Sequence, residues 1–249
     1  MVKVPKMEKS LTGKGTLYGV GVGPGDPELI TVKGLKLLQQ VPVIYIPKSG
    51  EESGSFALTV VKKYLDPSRQ EIIDLVFPMC KDREGLERFW NQSSGIIQGR
   101  LMQGLDVACI CIGDPLFYST FAHMMRKISE SDPGIAIKII PGVSSISACT
   151  GVVSLPLVQA GERLAVIPAT YDPQGIRKVL LDFDTVVLMK VNRVVDKVVP
   201  ILEELGLKKQ AVFVSRATTD EEEVVWDLDL LKGRSLDYHS MIIIHTKPK

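Results

Sequence analysis

The sequence predicts an α/β protein of two lobes, the first carrying a mostly parallel doubly wound sheet and the second a mixed sheet. Three observations lead there. Short apolar runs alternate with segments of helical period through the first 150 or so residues, the pattern of parallel strands joined by crossover helices. The rhythm changes beyond Leu155–Gly161, where strands follow one another with fewer helices between them. And three turns rich in glycine, proline and aspartate each follow a strand. Residues 1–15 read as a flexible basic tail, 16–157 as the first domain and 158–249 as the second.

Thr16–Val22 is a buried strand, followed by a Gly/Pro/Asp turn and a helix over Val32–Gln39. Val43–Ile46 is a second, short strand. Ala57, Val60, Val61, Tyr64 and Leu65 recur at helical spacing. Glu71–Val76 is a strand, and Leu86, Phe89, Trp90, Ile96, Ile97 and Leu101 mark the apolar face of a long helix. Val107–Ile112 is apolar throughout, as a strand covered on both faces should be. A helix with Phe117, Phe121, Met124, Met125 and Ile128 on one side follows, then a strand at Ala136–Ile140 and a helix at Ser144–Val152. Past the linker, Leu164–Ile167, Val186–Met189, Ala211–Val214, Glu223–Trp226 and Met241–His245 read as strands. Pro200 removes a hydrogen bond from the helical stretch Val194–Leu205, so that helix is kinked or starts later.

Composition narrows the function. The 249 residues carry 30 Lys plus Arg against 29 Asp plus Glu, a net charge of +1 without the basic excess of a general nucleic-acid binder. No apolar run approaches the ~18 residues that span a bilayer. No export signal is read at the start of the chain, so the expected location is the cytoplasm. Cys80, Cys109, Cys111 and Cys149 form no Cys-x-x-Cys pair, and His123, His239 and His245 form no metalloprotease motif. Cys109 and Cys111, two apart on a strand, share one face and read as core. No metal site is expected.

The three turns carry the functional signal: Gly19–Glu28 (GVGVGPGDPE), Gly113–Thr120 (GDPLFYST) and Pro141–Ser145 (PGVSS). Loops after parallel strands gather at the carboxyl edge of a doubly wound sheet, where ligands bind. Their spacing rejects the usual phosphate cradles. Counting six from Gly19, Gly21 and Gly23 reaches Pro24, Asp26 and Glu28, never glycine, and the Gly13–Lys14 pair is followed by Gly15 rather than Ser or Thr. This argues against a nicotinamide oxidoreductase. The two Gly-Asp-Pro tripeptides have a plain reading, Asp as helix N-cap and Pro at the first helical position. They also have a functional one. Glycine permits close backbone approach to a ligand, and an acid suits a positively charged one, such as the sulfonium and ammonium groups of S-adenosyl-L-methionine.

Taken together, the run from Gly21 to Gly34, the GDPLFYST segment and PGVSS resemble the tetrapyrrole methylase family from about Leu17 to the C-terminus. Within it, Phe117–Phe121 and Gly161–Ala169 look most like the branch that methylates C20 of precorrin-2 or of its cobalt-bearing counterpart, cobalt-factor II, in cobalamin biosynthesis. The resemblance implies an active site in the cleft between the lobes, a homodimer, a tetrapyrrole substrate, and S-adenosyl-L-methionine as methyl donor with S-adenosyl-L-homocysteine as product. It assigns Pro24, Ile112, Gly113, Asp114, Phe117, Ser144, Ser145, Met189 and Ala217 to the methyl donor. Gly25, Asp26, Lys48, Tyr118 and Arg216 are candidates for the substrate, whose carboxylates call for cations; Arg163 and Lys190 are further ones. Phe117 and Met189 have a plain reading as core, and Ser144 as a helix cap. Relatives that methylate uroporphyrinogen carry an acid just after the second strand; Val43–Lys48 has none, and the general base stays unassigned, with Tyr45 and Tyr118 near the loops. The rival readings are methylation at another corrin position, the diphthine branch, and a corrinoid-binding module without catalysis.

Overall fold

A computed structural model describes residues 13–48, 50, 54–76, 83–169 and 173–247. The chain divides into two compact units, one ending at Ser144 and the other starting at Ser145. Cys80 and most of the expected basic tail lie outside the described residues. The last tail residues are anchored: Lys14 pairs with Asp132 at 2.6 Å, and the Gly15 N–H donates to the Leu101 carbonyl at 2.8 Å.

The first unit holds strands β1 (Leu17–Gly21), β2 (Val43–Lys48), β3 (Glu71–Val76), β4 (Val107–Cys111) and β5 (Ile137–Ile140), all parallel, in the order β3-β2-β4-β1-β5. Helices α1 (Val32–Leu38), α2 (Phe56–Val61), α3 (Arg83–Met102) and α4 (Phe121–Ser131) connect them. Strand period sends Tyr18, Val20, Ala108 and Ile110 to one face, where they pack with Leu37, Leu38, Val60 and Val61 of α1 and α2. Leu17, Val107, Cys109 and Cys111 face the other way, onto Ile97 and Leu101 of α3 and Phe121, Met124 and Ile128 of α4. Cys109 and Cys111 thus share one face as core residues. Burial drives both thiols up, that of Cys111 to about 12. Position 19 of β1 is glycine because the Phe121 ring fills the space beside it: a Cβ there would lie 2.4 Å from a ring carbon.

The second unit holds α5 (Ser145–Val153), β6 (Leu164–Pro168), α6 (Pro173–Asp182), β7 (Thr185–Met189), α7 (Val195–Glu204), β8 (Ala211–Ser215), β9 (Glu223–Val225) and β10 (Ser240–His245). The sheet order is β6-β7-β10-β8-β9, parallel only between β6 and β7. Helices α6 and α7 cover one face through Ile176, Leu180, Val198 and Leu202. On the other face Ile146, Ala148 and Cys149 of α5 pack with Val187, Val212, Val214 and Ile243. This packing places α5, which the sequence reading put before the linker, in the second unit.

Three local expectations change. The helix expected from Phe117 begins at Phe121, because Tyr118 takes a left-handed φ of 51°. Ile96, expected on the buried face of α3, is 40% exposed; Trp90, Ile97 and Leu101 carry that face. Helix α6 was not foreseen. Pro200 lies inside α7, whose first residue, Val195, follows a short 3-10 turn at Val191–Arg193.

Candidate active site

Strands β4, β1 and β5 are neighbours, so the three loops that follow them emerge side by side at one carboxyl edge. The chain leaves β1 toward α1 on one face and β4 toward α4 on the other. The carboxyl ends of β1 and β4 therefore flank a topological switch point, where doubly wound sheets bind ligands.

The loops are laced together by backbone. The Gly113 N–H donates to the Gly23 carbonyl at 2.8 Å, forming an isolated bridge, and the Val22 N–H donates to the Cys111 carbonyl at 2.9 Å. Asp114 joins the second loop to the third: one carboxylate oxygen accepts from the Leu116 N–H at 2.9 Å, the other from the Gly142 N–H at 3.2 Å. Glycine makes this approach possible. A Cβ on Gly142 would sit 2.1 Å from the Gly113 carbonyl oxygen, and one on Gly21 would sit 2.5 Å from the same oxygen. Gly21 and Gly142 therefore serve loop-to-loop packing, where the sequence reading had the glycines yield to a ligand.

Each expected residue now has a place. Pro24 and Gly25 are buried, Ile112, Asp114, Ser144 and Ser145 half-buried, and Gly113 is buried with a φ of 68°. Asp26 caps the 3-10 turn Pro27–Leu29 by accepting from the Glu28 N–H at 2.8 Å, as the plain reading held. Asp114 instead spans an open loop; no helix begins at Pro115. Phe117 is not core: it is 39% exposed and stacks edge-on against the exposed Tyr118 ring at 5.0 Å. The three loops contain Asp26, Glu28 and Asp114 and no Lys, Arg or His between Val22 and Thr31, Ile112 and Thr120, or Pro141 and Ser145. Acids without a neighbouring cation disfavour a phosphate and suit a cationic ligand.

Two substrate candidates are engaged in ion pairs. Lys48 pairs with Asp74 on the neighbouring β3 at 2.5 Å, and Arg216 with Asp237 and Glu221, each at 2.8 Å. Tyr45 is fully buried, donates to the Ile96 carbonyl at 3.1 Å, and is pushed up to about 12 by burial, which leaves it a structural hydroxyl. Arg163 is largely exposed, 3.8 Å from Asp184.

In the second unit, β7 ends at Met189, half-buried against the α5 side of the sheet, and β8 ends just before the buried Ala217. Both strands flank β10, so their ends meet its start. The Lys190 N–H donates to the Ser240 carbonyl at 2.9 Å and the Arg216 N–H to the His239 carbonyl at 3.0 Å. Lys190, Arg216 and Thr218 have φ of 60°, 46° and 69°. With Tyr118 they are four of the five non-glycine residues with positive φ among the described residues. Each costs about 1–3 kcal/mol, and such strain concentrates at functional sites. The sequence reading named His239 only as part of no metalloprotease motif and did not single out Asp237; both sit at this edge, and an Asp-x-His just before an apolar strand was the available signal.

Known proteins resemble the chain in sequence and in fold. The family model described as Tetrapyrrole (Corrin/Porphyrin) Methylases matches residues 16–231. A probable cobalt-precorrin-2 C(20)-methyltransferase of Methanocaldococcus jannaschii is 35% identical, covering 92% of this chain and 95% of the relative. A precorrin-2 C(20)-methyltransferase of a Sinorhizobium species is 35% identical over 83% of this chain and 85% of its own. Among solved structures, a cobalt precorrin-4 methyltransferase shares the fold with a TM-score of 0.70 at 24% identity, covering 94% of this chain and 96% of that one. A uroporphyrin-III C-methyltransferase of Thermus thermophilus complexed with S-adenosyl homocysteine gives 0.64 at 22% identity, with 93% and 97% covered. On the match of its sequence from Thr16 to Leu231 and of its two sheets to these enzymes, the chain belongs to the tetrapyrrole methylases.

Proposed function

We propose that the protein is an S-adenosyl-L-methionine-dependent methyltransferase acting at C20 of precorrin-2 or cobalt-factor II in corrin ring synthesis. The observation that carries this reading is 35% identity, along nearly its whole length, to a relative named for that carbon. S-adenosyl-L-methionine supplies a methyl group already activated on a positively charged sulfur, so no acid is needed to expel the leaving group. The protein's work is placement. Holding two reactants in line contributes up to about 7–11 kcal/mol in favourable cases.

Placement is what the laced loops supply. Pro24, Ile112, Gly113, Phe117, Ser144 and Ser145 are proposed to hold the methyl donor, with Met189 and Ala217 from the second unit. Asp114 acts by fixing the second loop to the third and by adding negative charge near a cationic ligand. Gly25, Asp26, Tyr118 and Arg216 remain the proposed substrate contacts. Lys48 takes that role only by leaving Asp74. The proposed assembly is a homodimer in the cytoplasm. Among the described residues no helix is long and apolar enough to cross a membrane.

The test is substrate-dependent release of S-adenosyl-L-homocysteine without oxygen, with precorrin-2, cobalt-factor II and uroporphyrinogen III offered separately. Release with one of the first two and not the third is the expected result. Release with uroporphyrinogen III alone would overturn the assignment and point to the earlier step.

A further inference from the structure

We propose that His239, oriented by Asp237, is the general base that takes the proton displaced by methyl transfer. The proposal rests on the function given above and adds the group that the sequence left unassigned.

The geometry comes first. Oδ1 of Asp237 lies 2.7 Å from the His239 backbone nitrogen and 3.2 Å from ring Nδ1. Oδ2 of the same carboxylate accepts from Arg216 Nε at 2.8 Å. An ionised carboxylate only accepts, so the ring must carry its proton on Nδ1 and its basic lone pair on Nε2. A histidine whose tautomer is set by a neighbouring carboxylate is the arrangement in which imidazole serves as a base, because the carboxylate also stabilises the imidazolium that forms.

Groups that act on the ring include Asp237 on the same segment, Arg216 just past β8, Lys190 just past β7 and the adjacent Tyr238. The Tyr238 ring meets the imidazole edge-on at 5.3 Å and lies 5.4 Å below Lys190 Nζ. Partial desolvation lowers the imidazole, whose side chain stays 34% exposed, below its usual value of about 6.5. Asp237 opposes this, while the Arg216 and Lys190 charges act in the same direction as burial. Asp237 is itself pushed up by burial but held below the ordinary carboxylate range by the His239 N–H and the Arg216 guanidinium. Both directions favour a neutral ring beside an ionised carboxylate at neutral pH. Backbone strain points to the same spot: the two left-handed residues whose N–H groups clamp the His239 and Ser240 carbonyls are Lys190 and Arg216. Met189 and Ala217, proposed contacts of the methyl donor, adjoin those two residues in sequence.

The chemistry balances. The substrate carbon forms its bond to the methyl carbon as the carbon–sulfur bond breaks, and the bonding pair stays on sulfur. The methylated ring then carries one positive charge in excess. It returns to neutrality by giving a proton to Nε2, which passes it to water.

The test has one arm without turnover. In the 15N-labelled protein alone, with only three histidines and the His239→Gln spectrum for assignment, the His239 ring should show a protonated Nδ1 and a bare Nε2 at pH 7.5. Its titration should fall below pH 6.5. The second arm compares His239→Gln with the wild type in single-turnover transfer. General-base catalysis contributes about 10²–10⁴-fold, so the variant should be at least 100-fold slower with S-adenosyl-L-homocysteine affinity unchanged. The wild-type rate should rise with pH through the titration of His239. A proton on Nε2, or a variant within threefold of the wild-type rate, overturns the proposal. If His239→Gln does not fold, the wild-type tautomer and pH limb decide it. A wild type that binds S-adenosyl-L-homocysteine but methylates no tetrapyrrole overturns the function on which the proposal rests, which a merely fast variant would leave standing.

Discussion

Replacing Gly142 by alanine isolates the loop-lacing argument. The new Cβ would lie 2.1 Å from the Gly113 carbonyl oxygen and 2.8 Å from the backbone of Gly21. Real contacts of this kind stay beyond about 3 Å, so something must move by nearly 1 Å. The obstructing atoms are backbone, and the Gly113 N–H is held on the far side by the Gly23 carbonyl at 2.8 Å. Movement of Gly142 also stretches its bond to Asp114. Overpacking costs about 1–3 kcal/mol and loss of a hydrogen bond to a charged acceptor about 1.5–3 kcal/mol, reduced here because the site is half-exposed. A net loss of about 3 kcal/mol should lower Tm by roughly 6–12 °C in a chain of this size. Gly99→Ala is the control: it lies within α3, nothing lies within 4 Å of its Cβ position, and alanine gains up to about 1 kcal/mol inside a helix. Thermal unfolding reads both, and calorimetry with S-adenosyl-L-homocysteine should show weakened binding for Gly142→Ala alone. A Gly142→Ala variant within 1 °C of the wild type would refute the lacing.

Other perturbations have defined outcomes. Asp114→Ala removes both backbone bonds and should weaken S-adenosyl-L-homocysteine binding more than Asp114→Asn, which keeps one acceptor oxygen; equal affinities in calorimetry would contradict the role given to Asp114. Phe117→Ala should leave Tm nearly unchanged, since the ring is already exposed, yet reduce that affinity. Tyr45→Phe should cost about 1 kcal/mol for its lost bond to the Ile96 carbonyl and leave the transfer rate unchanged. Asp229 is held at about 2 by Lys208 and Lys232. Because its folded value is depressed, its contribution to stability is present above pH 4 and is lost as pH falls toward 2. The Tm gap between wild type and Asp229→Asn should close over that range.

The ten strands among the described residues were legible because each is built on a short run of mostly apolar, often β-branched residues. Cys109 and Cys111 were assigned to core by the two-residue period, and the structure keeps them on one face. Helix α6 escaped because its first turn is Pro173-Gln174-Gly175, which reads as a turn, and only Ile176, Val179 and Leu180 mark its apolar side. The start of α4 was misplaced because no sequence rule puts Tyr118 in a left-handed conformation; the second loop imposes it. In the candidate site, the order of the three loops was visible, but their lacing was not. Gly142 and Gly113 are far apart in the chain and adjacent only because β5 and β4 both pair with β1. For the same reason the pairing of Lys48 with Asp74, and of Arg216 with Asp237, needed the sheet register to be seen.

The most direct test of the function is to locate the transferred carbon. The protein, S-adenosyl-L-methionine labelled with 13C in its methyl group and either precorrin-2 or cobalt-factor II would react once without oxygen, and NMR would place the label. One labelled methyl on C20 is the predicted result. A label on any other ring carbon, or none despite tight S-adenosyl-L-homocysteine binding, would contradict it.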